Sequence, residues 1–452
     1  MNSQTAGTAG HSTTLEPASD RWFENILDAS REPELLGRLR IEAWRRYREL
    51  PLPTRRSEEW RYTDIGWMAP EGYRCGSAAG DRGDGAGTAL PASVQAVLDR
   101  SGERSGVCVL HDGVDIHCRL APELESLGVR LSTIADAARD GGDFLSRYLC
   151  SSDVAAMEQK LWSLHVAALT GGYLLYVPAG VRLEHPVHVF HILDSGGSLA
   201  ATHSLLIAAP GAEVSCVDEF ISPDLDTPSL SLSGVEIFAE QNASVKYVSL
   251  QRYGRGIRHF SMQHIAAGRD ARVGGYNVAL GADVHRADVT SRLVGPGSQS
   301  DMLALWFGDR DRHVDHHTLQ HHEADHARSD LLYKGALTDS AFSVFRGLIR
   351  VDPGAQLTDA YQTNRNLLLS EESRAISLPN LEIEADDVRC SHGATIGQTD
   401  AAQIFYLMSR GLDRARAEKL LVLGFFDEVL NRLPLEGIRE RVREAIQERI
   451  GA

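Results

Sequence analysis

The sequence predicts a mainly β protein whose core is a β-solenoid, with helical parts before and after it. Three observations carry this expectation. Helical periodicity of apolar residues disappears at about residue 171 and returns only at about residue 399. Small-residue turns punctuate that stretch at Pro178-Ala179-Gly180, Pro210-Gly211-Ala212, Gln241-Asn242-Ala243, Arg269-Asp270-Ala271, Gly295-Pro296-Gly297, Asp352-Pro353-Gly354 and Glu384-Ala385-Asp386. They lie roughly 27 to 32 residues apart, with one gap about twice as long and a weaker turn, Glu323-Ala324-Asp325, in its middle. Alternating strands follow the turns, as at Val214, Cys216 and Val217, at Val245, Tyr247 and Val248, and at Leu303, Leu305 and Phe307. A β-sandwich is the competing fold, but its turn signals recur about every 8–12 residues rather than at a longer superposed period.

The elements follow in order. Residues 1–20 are polar and rich in Ser, Thr, Ala and Gly, and read as disordered. They have neither the basic start nor the apolar core of a signal peptide. Residues 21–164 read as a helical and mixed domain. Trp22, Phe23, Ile26, Leu27, Leu36, Leu39, Trp44 and Tyr47 recur at helical spacing, and Pro51 and Pro53 end that run. The Gly-rich residues 71–89 read as a flexible loop. The solenoid is placed at 165–398 and a C-terminal helical domain at 399–452. In that tail Asp400 with Gln403 resembles a capping box, Gly411 is a stop, and a second helix over 413–432 carries Leu420, Leu421, Leu423, Phe425 and Val429. Pro434 breaks it, and a charged amphipathic helix over 435–450 closes the chain. The tail reads either as a private core or as a partner's docking surface.

At 452 residues the chain can bury a large core. A formal net charge of −16 argues against nucleic-acid binding, which needs a basic surface to release counterions. No apolar run approaches the length of a membrane span. The six cysteines, Cys75, Cys108, Cys118, Cys150, Cys216 and Cys390, form no CxxC pair and fit a reducing cytoplasm. Of the four lysines, Lys160, Lys246, Lys334 and Lys419, none ends a P-loop, so no nucleotide is expected on this chain.

Two constellations could carry chemistry. Cys390 and His392 set a soft sulfur ligand and an imidazole two residues apart, between a β-type segment and the helical tail. That pair could dock iron of an Fe–S cluster, with further ligands from another chain. It could equally be a small buried thiol beside a histidine that links coils. The second is His313, Asp315, His316, His317, His321, His322, Glu323, Asp325 and His326. It invites a zinc reading, but it has no H-E-x-x-H order. On a strand, His313, His317 and His321 would face opposite to His316, His322 and His326, so a structural role is expected. A polysaccharide-active solenoid would gather carboxylates such as Asp218, Glu219, Glu236 and Glu240 on one groove. Sparse aromatics, at 7%, disfavour it. No G-x-S-x-G elbow supports a serine hydrolase.

Several segments resemble the SufB/SufD family of the SUF iron–sulfur cluster assembly system. They are Ser57-Glu58-Glu59-Trp60-Arg61-Tyr62-Thr63, Asp315-His316-His317-Thr318, Tyr333-Lys334-Gly335, Phe345-Arg346-Gly347 and Ala360 through Leu369. Pro379-Asn380-Leu381-Glu382-Ile383, Cys390-Ser391-His392-Gly393-Ala394-Thr395 and Phe405 through Gly411 complete the set. The resemblance covers most of the chain after residue 21, and Gly393 with the sparse cysteines favours the SufD type over the SufB type, the runner-up. It implies a right-handed parallel β-helix between helical ends. It implies a non-catalytic, cytoplasmic scaffold subunit that joins a SufB-type subunit and a SufC-type ABC ATPase, with homodimerisation when isolated. A transient Fe–S cluster would form at the subunit interface, with His392 as candidate ligand and Cys390 beside it. ATPase docking would fall on Phe405, Tyr406, Leu407, Arg410, Gly411 and Leu420. A flavin is left open, and a metal- or sugar-active solenoid enzyme remains the alternative of another class.

Overall fold

Two ten-stranded sheets form the centre of the computed structural model, which describes residues 20–27, 32–76, 103–152 and 159–450. Residues 1–19 and most of the Gly-rich 71–89 stretch lie outside the described residues. From Gly171–Val177 to Arg389–Gln398, successive strands alternate between the two sheets, and neighbours in each sheet pair in parallel. The chain therefore winds as a β-solenoid of about 8 turns, as its turn spacing predicts. Register is regular: Val284 lies beside His313, His313 beside Phe342, and Phe342 beside Arg374.

The corners explain the period. Gly180, Gly211, Asn242, Asp270, Gly297, His326 and Leu357 each take a left-handed backbone conformation, with φ between 56° and 72°. Their N–H groups donate to a carbonyl one coil further on, as Gly180 does to Pro210 at 3.0 Å, Asn242 to Arg269 at 2.9 Å and His326 to Gln356 at 2.9 Å. Gly, Asn, Asp and His are the residues that tolerate this region best, which is why small polar turns recur once per coil. His326 supplies the corner inside the long gap between sequence turns.

The two ends of the solenoid differ. At the first, Arg130–Thr133 pairs antiparallel with Gly171–Val177, and Val114–Leu120 pairs antiparallel with Gly106–His111. Within the latter pair Cys108 and Cys118 stand directly opposite, 4.1 Å apart at Cα, and are joined by a disulfide. Their separation of 10 residues, with no CxxC pattern, gave no sign of it in the sequence. At the far end Arg374–Ile383 and Arg389–Gln398 are the last strands of their sheets, with nothing paired beyond them among the described residues.

Helices cover the two outer faces. Asp20–Ile26, Glu34–Glu49 and Gln159–Ala167 bring Phe23, Trp44, Leu161 and Leu164 into one cluster with Leu199, Leu230 and Phe260 of the first sheet. Arg414–Leu430 and Glu436–Arg449 bring Val422, Phe426, Val429 and Val442 against Leu250, Val278 and Leu305 of the second. Lys334 anchors that packing, donating to the Phe425 carbonyl at 2.9 Å and pairing with Glu428 at 2.5 Å. Much of the tail is therefore a private core, while its first helix is not.

Candidate functional site

Alternation fixes where Cys390 and His392 point. Cys390 continues the buried column Val214, Val245, Val273, Ser300, Ser329, Ala360. His392 continues the column of Met302, Leu331 and Gln362, all buried. Both thus lie on the inward side of the last strand, about 7 Å apart along it at the usual strand rise. No later coil covers them, so His392 is exposed and Cys390 half-buried. Burial raises the Cys390 thiol, the nearby Asp359 charge adds to this, and a backbone contact with Ala360 opposes both. In the lone chain the sulfur is therefore a protonated thiol. The donors suit a soft or borderline ion, but two donors do not close a tetrahedral site. Among the described residues, the groups of three or more potential ligands lie elsewhere, at Cys150, His203 and Glu236 and at His111, Asp112 and Asp194.

The rim of this end is apolar. Tyr361, Leu381, Ile383 and Ile396 are exposed there, beside backbone groups of two edge strands that have no strand partner. Such an edge is a template for pairing with another chain.

A second exposed apolar surface lies on the tail. Helix Ala401–Ser409 is capped by Asp400, whose side chain accepts from the Ala402 N–H at 2.8 Å. The helix buries Ile404 and exposes Phe405 by 73%, Tyr406 by 56% and Met408 by 43%. Leu407 is half-buried, the Arg410 guanidinium stands 5.1 Å from the Tyr406 ring centroid, and Gly411 ends the helix at φ 94°. Leu420, on the next helix, is also exposed, and between the two helices Tyr406, Leu407 and Leu421 line a shallow cleft.

The histidine cluster is divided as alternation requires. His316 and His322 are fully buried inside the solenoid, whereas His313 and His317 lie on the outer face under the N-terminal segment. There the Ser57–Thr63 motif and the Asp315-His316-His317 motif meet. Arg286 donates bidentately to Asp288 at 2.8 and 2.9 Å, to Asp315 at 3.2 Å and to the Glu59 carbonyl at 2.8 Å, beneath the Trp60 ring. Thr63 hydrogen-bonds His313 at 2.7 Å and also Asp315. Burial alone would raise the Asp315 carboxyl, but the His317 and Arg286 charges outweigh it and hold it well below the usual range. His321 pairs with Asp352 at 3.0 Å, and His326 is the corner residue described above. His316 has no hydrogen-bond partner at either ring nitrogen and packs instead against the rings of His285, Trp306 and Tyr333.

Two features have little signal in the sequence. Inside the solenoid His191 stacks on Phe220 at 4.3 Å, Phe220 contacts His259 at 5.0 Å, His259 stacks on His285 at 5.3 Å, and His285 meets His316 at 5.5 Å. Recurrence of His259 and His285 at the coil period is the one clue to this file. The other is the group of Cys150, His203 and Glu236, the last two buried, whose members come from distant segments.

The chain is thus a β-solenoid with one closed and one open end, a Cys/His pair on the open edge and helices on both faces. The family described as "SUF system FeS cluster assembly, SufBD core domain" matches residues 191–425, more than half of the chain. The chain belongs to the SufBD family of iron–sulfur cluster assembly proteins. It is 28% identical over 433 residues to the iron–sulfur cluster assembly protein SufD of Bacillus subtilis, covering 95% of this chain and 97% of that one. It is 28% identical over 451 residues to a SufBD family protein of Synechocystis sp., covering 96% of each. A SufBD family protein of Mycobacterium leprae is 36% identical over 221 residues, 47% of this chain and 56% of that one. Among the described residues no helix is long and apolar enough to cross a membrane.

Proposed function

We propose that this chain is a SufD-type scaffold subunit, itself non-catalytic, of an ATP-driven complex that assembles Fe–S clusters. The observation that carries the reading is the uncapped solenoid end, where Cys390 and His392 stand side by side on an exposed edge strand. A SufB-type solenoid docked there would extend both sheets and bury Tyr361, Leu381, Ile383 and Ile396. In the absence of that partner a second copy of this chain would take the same edge, giving a homodimer. The nascent cluster is cargo, held between ligands of two subunits. His392 supplies a borderline nitrogen ligand that releases iron more readily than a thiolate, and Cys390 supplies a sulfur once iron displaces its proton. The SufC-type ATPase would dock on Phe405, Tyr406, Leu407, Arg410, Gly411 and Leu420, an apolar patch that the chain itself leaves uncovered. The complex would work in the cytoplasm.

The test is His392→Ala in the co-expressed three-component complex. The complex should purify with normal stoichiometry, and its cluster content after anaerobic reconstitution should fall about tenfold, the usual scale for a lost ligand contact. Cys390→Ser should have an equal or smaller effect. Wild-type cluster content in the His392→Ala complex would make this histidine structural. A SufB-type role for the chain would instead show as cluster binding by this chain alone.

A further inference from the structure

A set of side chains that could hold a metal ion lies toward the closed end of the solenoid, where the strands of its early coils meet the segment after helix Ile134–Leu145. His203 is on the outer side of strand Ser198–Ala208, and Glu236 is on the next strand of the same sheet, Ser229–Ala239. Cys150 sits at a left-handed bend, φ 55°, just after helix Ile134–Leu145. One ligand atom from each, Sγ, an imidazole nitrogen and a carboxylate oxygen, lies within 4.8 Å of the others. His203 Nε2 and Glu236 Oε2 are 3.0 Å apart. Both residues are fully buried, and Cys150 is partly exposed as a residue.

The surroundings hold these groups in place. Glu236 accepts the backbone N–H of Cys150 at 2.6 Å and that of Ser152 at 3.0 Å, so the bend is pinned to the sheet by the carboxylate. The other nitrogen of His203, Nδ1, is hydrogen-bonded to His165 Nε2 at 3.1 Å, the outer-shell contact that typically orients a ligating imidazole. Gly234 makes room for the pair: a Cβ there would come within 2.4 Å of His165 Nε2 and 2.9 Å of His203 Nδ1. Trp162 packs against both imidazoles, so the wall behind them is dry. The second group of potential ligands has no comparable build. None of its members, His111, Asp112 and Asp194, is buried, so water competes with any ion there.

We propose that Cys150, His203 and Glu236 form a binding site for one divalent first-row transition ion of the zinc type, which clamps the helical domain to the solenoid. Charge favours a dication: a thiolate and a carboxylate with a neutral imidazole sum to zero around it, which suits a buried place. Binding releases one proton, from the Cys150 thiol, and forms one bond each to sulfur, nitrogen and oxygen. The imidazole pair conserves its protons. Without metal, His203 donates from Nε2 to Glu236 and accepts at Nδ1 from His165. With metal, His203 Nε2 is a ligand, its proton sits on Nδ1 and is donated to His165 Nε2, and the His165 proton moves to Nδ1. Because binding releases the thiol proton, affinity rises with pH. Sulfur, nitrogen and oxygen around tetrahedral zinc stand about 3.3–3.7 Å apart, so atoms already within 4.8 Å of one another must close by on the order of 1 Å at most, and water takes the fourth position.

The experiment uses the full-length chain carrying Cys390→Ser, reduced and stripped with chelator, so that a cobalt–thiolate signal cannot come from the edge site. Co²⁺ is titrated in and followed by the thiolate-to-cobalt absorption band, then displaced with Zn²⁺. One equivalent of Co²⁺ should bind with that band, Zn²⁺ should bleach it, and the thermal midpoint should rise with metal. Cys150→Ser should abolish both the band and the thermal shift. Glu236→Gln keeps the side chain's size and one of the two carbonyl-type acceptors, for Cys150 N–H or Ser152 N–H, and serves should the serine variant fold poorly; it should weaken Co²⁺ binding at least tenfold. A protein that gives no band, or a band that survives Cys150→Ser, overturns the proposal. Neither outcome bears on cluster assembly at the open end.

Discussion

Arg286 shows how much the outer face depends on one side chain. Its guanidinium is fully buried, neutralises two carboxylates, Asp288 and Asp315, and carries the Trp60 ring and the Glu59 carbonyl of the N-terminal segment. Removing it strands two buried carboxylates, a larger loss than the ion pair itself is worth. Arg286→Met should cost about 3–5 kcal/mol in urea unfolding. It should also expose Trp60 to fluorescence quenchers while far-UV circular dichroism stays solenoid-like. Arg286→Lys should recover only part of the loss, since an ammonium cannot hold Asp288 bidentately. At this scale the sequence was partly legible. Cys390 and His392 share a strand face because they are two residues apart, which spacing alone reveals. Asp288 is likewise two residues from Arg286, but Asp315 and the Glu59–Trp60 pair come from two distant segments, and no local pattern links them to it.

Among the elements, the tail divides into two kinds of helix. Arg414–Leu430 and Glu436–Arg449 cover an apolar sheet face through Phe426, Val429 and Val442, so they cannot be deleted without uncovering that face. Truncation of Phe426 to Ala should cost about 3–5 kcal/mol, as for other fully buried aromatics. Ala401–Ser409 behaves differently. Phe405 and Tyr406 are mostly exposed, so Phe405→Asp combined with Leu420→Asp removes apolar surface without touching the core. The thermal midpoint of the isolated chain should stay within about 2 °C, the scale of a surface change of about 0.5 kcal/mol. ATPase capture in pull-downs should be lost, or weakened by more than tenfold, because exposed aromatics of this kind act as anchors. Capture at the wild-type level would place the docking surface elsewhere. Helical periodicity located these helices in the sequence, but it could not tell which one is covered, because that depends on the sheet face lying opposite.

Over the whole molecule, the coil period was readable because each coil repeats one left-handed corner. The asymmetry of the ends was not, since antiparallel closure at one end and its absence at the other depend on strand pairing rather than on composition. The interior also sets how the fold responds to acid. Burial lowers His188, His285 and His322 to about 4 and takes His165, His259 and His316 well below their ordinary value. An unfolded imidazole takes up its proton near pH 6.5. Between about 6.5 and 4 the unfolded chain therefore binds protons that the folded chain excludes, and stability falls as pH falls through that window. Several groups act together, so the loss is on the order of several kcal/mol by the lower limit. The depressed Asp315 carboxyl acts in the same direction at more acid pH, because its stabilising contribution is lost only when it protonates. Relief of repulsion as the net charge of −16 is titrated away opposes the trend, so the decline should be steepest below about pH 5.5. Urea midpoints measured from pH 7 to pH 4.5 should drop progressively, and His285→Gln, which cannot take up a proton, should flatten the slope. A midpoint that holds steady down to pH 4.5 would mean that the interior admits protons and water freely.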